Sequence, residues 1–384
     1  MSNTITILGD VCLAGRNIHE HVAAVGSDWN PFSEFASDTY LIANLESPIS
    51  DRGDPLPWKY AALRAAPQSA IGLKGLDLAV IANNHISDFG EQAVADTLNA
   101  LQSQGLATVG YGRHIEDAWQ PHLTKVDGVP VLVFAASCPT TNGENLATHV
   151  SSGVAPLSVE YLKRKLQETA AADAVKIIYL HWGLENMHRV VPEQIAVARA
   201  AIDWGADAVI GCHGHVIQPY ECYNGRWIFY GLGNFLFDDV TIRVPNARGE
   251  LTESVLPQRP ENCESLAVRF TVSMSSGSPS LTLQDVVAVS SRERLSPRPV
   301  PTSELTISVD QVNRTIPKVD PAATGSGLNA HESRYATYFR NGILSYHYNS
   351  EMPTASPRHR TLNFGSWPRR LWNRIRRVRD SVLR

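Results

Sequence analysis

The chain has 384 residues, long for one domain, and its 34 Lys and Arg against 38 Asp and Glu leave no global charge suited to nucleic acid. An apolar content of 43% is ordinary for a globular protein and ample for a sizeable core. Five scattered cysteines without a Cys-x-x-Cys argue against a disulfide framework or a thiolate zinc site.

The N-terminus "MSNTITILGDV" shows no basic segment followed by a long apolar one, so no secretion signal is expected. No run of about twenty apolar residues suggests a membrane-spanning helix. The expected location is the cytoplasm, with reduced thiols.

Taken in order, apolar strand-like runs alternate with helical stretches over the first 240 residues, the pattern of a layered α/β domain. "TITILGDV" ends at Gly9-Asp10, "TYLIANLES" at Asn44-Leu45-Glu46, and "LDLAVIANNH" at Asn83-Asn84-His85. A helix is predicted from Gly90 to about Gln104, where Ala93, Val94, Leu98 and Leu101 recur at helical spacing. "VPVLVFAAS" is a further strand, and Ser158 is the expected N-cap of a helix burying Tyr161, Leu162 and Leu166. "VKIIYLHWG" is a strand ending at His181, followed by a helix with Pro192 in its first turn. "ADAVIGCHGH" is a strand, and "GRWIFYGLGNFLFD" reads as one more.

Residues 241–262 read as a polar loop, and "ESLAVRFTVSM" with "SLTLQDVVAVS" as an antiparallel hairpin. The expected division is a domain over 1–295 and an extension over 296–384, composed of a Pro/Ser-rich linker and a basic helical end. In "WPRRLWNRIRRVRDSVLR" the apolar Leu371, Trp372, Ile375, Val378 and Val382 share one face and arginines the other. Such a helix suits an anionic membrane surface or a biosynthetic partner, and packing on its own domain is the alternative.

Apolar runs repeatedly stop at side chains able to bind metal: Asp10, Glu46, Asn84, His85, His181, His213 and His215. Ligands in open α/β sheets gather at the carboxyl ends of strands. A pair of divalent cations about 4 Å apart needs a bridging carboxylate and several imidazoles, with hydrated Mn, Fe or Zn favoured by the near absence of thiolate. His213 and His215, two apart on what reads as extended backbone, should project to one side.

"GDVCLAGR", "ANLESPIS", "ANNHISDFG", "HWGLE", "GADAVIGCHGHVIQP" and "YGLGNFLFD" resemble the CapA family, named for poly-γ-glutamate capsule biosynthesis, over about Ile5 to Asp238. The resemblance implies a fold similar to calcineurin-like metallophosphoesterases: a four-layer αββα sandwich of two mixed sheets flanked by helices. It also implies Asp10 as first-strand ligand, Glu46 as bridging carboxylate, Asn84 as amide ligand, and His181, His213 and His215 as imidazole ligands. His85 would be the acid just outside the ligand set and Arg16 an anion contact, with Glu185 and Asn234 lining the substrate site. One or two divalent ions are implied as cofactors. Against a standard metallophosphoesterase, "GDVC" replaces Asp-x-His, Glu46 stands for Asp, and Gly214 stands where many members have proline.

The function expected is metal-dependent hydrolysis of a phosphoester or a γ-glutamyl amide in a capsule polymer or its precursor. The alternative is a non-catalytic, polymer-binding assembly component. The expected partner is a polymer or a small phosphorylated or γ-glutamyl substrate, with peripheral contact at the inner membrane face through the basic end.

Overall fold

The computed structural model describes residues 3–316, apart from 58, 60, 142–144, 171, 246–250, 276 and 294. The chain divides into two units, Met1–Ser350 and Glu351–Arg384. The expected helix around "ESRYATYF" and the basic terminal helix lie outside the described residues.

The chain begins β1 (Thr4–Val11), α1 (Arg16–Val25), β2 (Tyr40–Leu45), β3 (Leu78–Val80), α2 (Gly90–Ser103), β4 (Ala107–Val109), β5 (Tyr111–Gly112) and α3 (Ile115–Ala118). It continues β6 (His122–Val126), β7 (Val129–Ser137), β8 (Gly153–Val154), α4 (Val159–Glu168), β9 (Val175–His181), α5 (Pro192–Asp203) and β10 (Ala208–Cys212). Next come β11 (Tyr220–Tyr223), β12 (Arg226–Phe229), β13 (Asn234–Leu236), β14 (Val240–Pro245) and β15 (Leu251–Leu256). The described part closes with β16 (Glu264–Ser275), β17 (Ser278–Ser290), β18 (Arg298–Pro299) and α6 (Val309–Asn313).

One mixed sheet has the order β18-β17-β16-β1-β2-β3-β4, with β13 also pairing β1, and the second runs β11-β12-β10-β9-β7-β6. Strand alternation explains how they pack. In β9, Ile177 and Tyr179 join Ile5, Ile7, Ile42 and Val80 of the first sheet in a shared core. Ile178 and Leu180 face the other way, against Leu162 and Leu166 of α4 and Ile195 and Ala198 of α5. On the far side of the first sheet, Leu41, Ala43 and Ala79 meet Ile18 and Val22 of α1 and Leu101 of α2. These three cores separate four layers, the expected αββα sandwich.

Three local expectations are corrected. "GRWIFYGLGNFLFD" is two strands in different sheets: β12 lies beside β10, whereas β13 lies beside β1. The chain crosses between sheets at Gly231-Leu232-Gly233, where Gly233 adopts φ 81, a left-handed value that glycine adopts without steric cost. Within residues 241–262, where a polar loop was expected, β14 and β15 pair antiparallel from Val240↔Leu256 to Pro245↔Leu251. The run "LDLAVIANNH" contributes only Leu78–Val80 as strand, because from Ile81 onward the backbone turns to bring Asn83 and Asn84 back over the sheet edge.

The hairpin β16–β17 forms as expected. Beyond it β18 adds to the sheet, and Val300, Leu305 and Val312 are buried.

Candidate metal centre

The carboxyl ends of β1, β2, β9 and β10 deliver the site. Strand parity sets most of it: Ile42 faces the core between the sheets, so Asn44 and then Glu46 continue on that side. By the same rule His181 follows Ile177 and Tyr179. Asp10 has the wrong parity relative to Ile5 and Ile7, and a register shift between Ile7 and Asp10 in the β1–β2 pairing re-aims it. Gly9 permits that bulge, because a Cβ there would stand 1.9 Å from the Gly233 carbonyl oxygen.

Asp10 is fully buried, and its carboxylate accepts from the Asn44 amide at 2.8 Å and the His213 backbone N–H at 3.1 Å. Asn83 donates to Asn44 Oδ1 at 3.0 Å and to the Leu45 carbonyl at 2.7 Å. Its own Oδ1 accepts from the N–H groups of His85 and Ile86, an Asx-type turn that sets the direction of Asn84 and His85. Asn84 Oδ1 then lies 2.7 Å from His181 Nε2. That same nitrogen is 3.1 Å from His213 Nδ1 and 3.5 Å from Glu46 Oε1.

His213 and His215 do not sit on extended backbone as expected. Strand β10 ends at Cys212, and the two histidines have φ 88 and 55. Left-handed backbone at two non-glycine residues costs on the order of 1–3 kcal/mol each and is characteristic of functional sites. His215 is nonetheless aimed at the carboxylates, with Nδ1 3.9 Å from Asp10 Oδ2 and Nε2 3.8 Å from Glu46 Oε1. Asn234, expected to line a substrate site, holds that ring: its amide donates to the Asn262 carbonyl, so its Oδ1 accepts His215 Nδ1–H at 3.0 Å.

Glu46 carries the decisive feature. It is completely buried, yet neither carboxylate oxygen has a hydrogen-bond partner. An unpaired buried carboxylate is costly, and such groups are ordinarily paired or bound to a metal. Ligand atoms of Glu46, His181 and His213 lie within 4.8 Å of one another, as do those of Asp10, Glu46 and His215. Glu46 links these two groups, as a bridging carboxylate would, while Asp10, His181 and Cys212 form a further group and Glu185, His213 and His215 another.

The electrostatics agree. Burial, reinforced by the Asp10 charge, holds the Glu46 carboxyl well above its ordinary value. Burial also raises Asp10, against the pull of His215 and the Asn44 hydrogen bond. Burial drives His181 well down, aided by His213 and His215, and pushes His213 down to about 3 against the attraction of Glu185. Acids that resist ionising beside imidazoles that resist protonation are both relieved by a divalent cation, which needs anionic carboxylates and neutral imidazoles. The donor set of carboxylate, amide and imidazole therefore fits such an ion.

Glu185 lies at the rim, its side chain 54% exposed and Oε1 3.8 Å from His213 Nε2. Arg16 opens α1 with an exposed side chain, and its N–H donates to the Asp239 carbonyl. Cys12 is buried against Leu63, Phe237 and Val240, so it serves the core. His188 Nδ1–H donates to the Ile217 carbonyl, and Trp182 stacks on Tyr230 inside the core.

Sequence reasoning missed Asn44, Asn83, Lys59, Asp88 and Cys212. His85 Nδ1 lies 2.6 Å from Asp88 Oδ2, and Cys212 Sγ lies 3.2 Å from His181 Nδ1. Asn83 and Asp88 were visible as neighbours of His85 in "ANNHISDFG", whereas nothing local marks Lys59.

Residues 4–239 match the family described as "Bacterial capsule synthesis protein PGA_cap". The chain belongs to that family. The PGA_cap match ends where β13 has just completed the site, so all ten predicted site residues fall inside it. Similar proteins include the PGA biosynthesis protein CapA of Bacillus subtilis (strain 168), 33% identical over 61% of this chain and 63% of that protein. The capsule biosynthesis protein CapA of Bacillus anthracis is 29% identical over 61% of this chain and 60% of that protein. The chain thus spans less than two thirds of either relative's length. A distant likeness of fold extends to the calcineurin-like phosphoesterase YfkN from Bacillus subtilis, at 15% identity and TM-score 0.39 over 86% of this chain and 98% of that one. No helix among the described residues is long and apolar enough to cross a membrane.

Proposed function

We propose that this PGA_cap protein is a metal-dependent hydrolase that cleaves a phosphoester or a γ-glutamyl amide in a capsule polymer or its precursor. The observation that carries the reading is Glu46, whose buried, unpartnered carboxylate is ringed by three imidazoles. Asp10, Glu46, Asn84, His181, His213 and His215 would hold one or two ions of Mn, Fe or Zn. A divalent cation held there supplies Lewis-acid polarisation of a phosphoryl or acyl oxygen and acidifies water.

The chain's own residues do the rest. Asp88 accepts from Lys59 and from the Leu63 N–H, which marks it as an ionised acceptor. His85 therefore places its proton on Nδ1 toward Asp88 and leaves Nε2 to exchange a proton with a leaving group. Its side chain is only 10% exposed, so bulk water has limited access to that exchange. Glu185 at the rim and Arg16 at the start of α1 are the candidate substrate contacts, with Asn234 supporting His215 beneath them. The polymer assignment follows from the relatives named for capsule and PGA biosynthesis.

The test is metal content of the purified protein, followed by Mn²⁺-dependent release of nitrophenol from its phosphodiester and phosphomonoester and of nitroaniline from γ-glutamyl nitroanilide. Turnover lost in His85→Ala with metal retained supports the hydrolase. Cys12 in place of an imidazole favours a second reading, a metal-containing assembly component that binds polymer without cleaving it. Bound metal with no turnover on any of these compounds would establish that reading instead.

A further inference from the structure

Lys59 is a buried ammonium, 4% exposed, in a loop that no motif of the site marks. Burying a lysine is costly unless its charge and donors are matched. Its Nζ donates to two groups: the carboxylate Oδ1 of Asp88 and the backbone carbonyl of Asn84. Asp88 is completely buried, and its second oxygen takes the Leu63 N–H at 2.8 Å and His85 Nδ1 at 2.6 Å. The Lys59 backbone is itself pinned, since the Arg243 guanidinium donates to the carbonyls of Leu56 at 3.2 Å and Lys59 at 3.0 Å. Arg243 belongs to β14, in the hairpin where a loop was expected.

One cation thus grips two adjacent functional residues by different handles. Through the Asn84 carbonyl it fixes the peptide whose side chain reaches His181 at 2.7 Å. Through Asp88 it fixes the ring of His85. We propose that Lys59 is the positioning residue of this centre, holding the amide of Asn84 and the imidazole of His85 in register with the ligands delivered by β9 and β10. The kinetic consequence rests on the hydrolase reading, whereas the geometric one does not. Lys59 donates to Asn84 and Asp88, and its positioning effect is transmitted through those two residues, beside the direct pull of its charge on the site. Partners that orient ligands in this way typically change metal affinity about 10- to 100-fold when removed.

The experiment compares wild type, Lys59→Met, and Lys59→Met/Asp88→Asn by Mn²⁺ titration and by long-range ¹H–¹⁵N NMR of the histidine tautomers in metal-free protein. Lys59→Met is expected to weaken Mn²⁺ at least about 10-fold and to replace the single Nδ1–H form of His85 with a mixture. The double variant separates positioning from simple charge neutralisation: its Mn²⁺ affinity is expected to stay low, because the Asn84 carbonyl still lacks its donor. Wild-type affinity in the double variant, or an unchanged His85 tautomer and affinity in Lys59→Met, would overturn the proposal. Should Lys59→Met fail to fold, Lys59→Gln, which still donates to one of the two oxygens, carries the same comparison with a smaller expected loss. Inactivity of wild type on every ester and amide would count against hydrolysis alone and leave the Mn²⁺ and tautomer results to decide the role of Lys59.

Discussion

Asn84 Oδ1 lies 2.7 Å from His181 Nε2, a contact that joins the turn after β3 of one sheet to the last residue of β9 in the other. With Glu46 Oε1 and His213 Nδ1 also within 3.5 Å of that nitrogen, four ligand-type atoms converge where hydrogen bonding can satisfy few of them. A divalent cation held there would relieve the crowding.

Removing the shared carboxylate tests this directly. Glu46→Gln and Asp10→Ala are each expected to lower bound metal per chain, because each carboxylate belongs to two of the ligand groups formed with His181, His213, His215 and Cys212. Elemental analysis of dialysed protein checks it, and full metal content in both variants would remove these residues from the centre.

His85→Ala should separate binding from turnover. Its ring contacts Asp88, so metal content should hold while kcat falls by about 10²–10⁴-fold, the usual worth of general acid–base catalysis. Parallel loss of metal and activity would make His85 a ligand or a structural residue.

Acid pH probes His213 in metal-free protein. Unfolded, this histidine takes a proton below its ordinary value of 6.5; folded, burial delays protonation to about 3. Between those values the unfolded state binds more protons, so stability falls as pH drops through that window, by up to about 1.4 kcal/mol per pH unit. His213→Gln lacks this proton uptake, and denaturant unfolding in chelator should show its stability relative to wild type rising from pH 7 to pH 4. A pH-independent difference would contradict the burial of His213 as a neutral ring.

Backbone strain at His215 gives an inverted glycine effect. At φ 55 a side chain is disfavoured, so His215→Gly should be more stable than His215→Ala by about 1 kcal/mol, although both lose the same imidazole. Equal stabilities by thermal unfolding would mean that the turn relaxes at no cost.

Gly9→Ala tests the bulge that aims Asp10. A methyl group 1.9 Å from the Gly233 carbonyl oxygen forces β1 and β13 apart, with an expected loss of about 3 kcal/mol and of metal binding together. Wild-type melting and metal content would show that the crossing adapts.

Alternation of apolar residues and the polar groups at strand ends marked much of this protein without coordinates: the layered α/β class, the helices from Gly90, Ser158 and Pro192, and seven candidate site residues, with Arg16, Glu185 and Asn234 added only by the family resemblance. Strand parity is a local property, so Glu46 and His181 follow from Ile42 and Ile177 by counting twos. Tertiary structure alone decided the rest. The inward turn of Asp10 comes from a bulge made by close approach of Gly233, more than two hundred residues away, and the convergence of His213 and His215 comes from left-handed turns. Lys59 reaches the site across a loop, through an ammonium whose burial only the folded chain can compensate. Such relationships depend on which backbones meet, and periodicity within a segment carries no record of its distant neighbours.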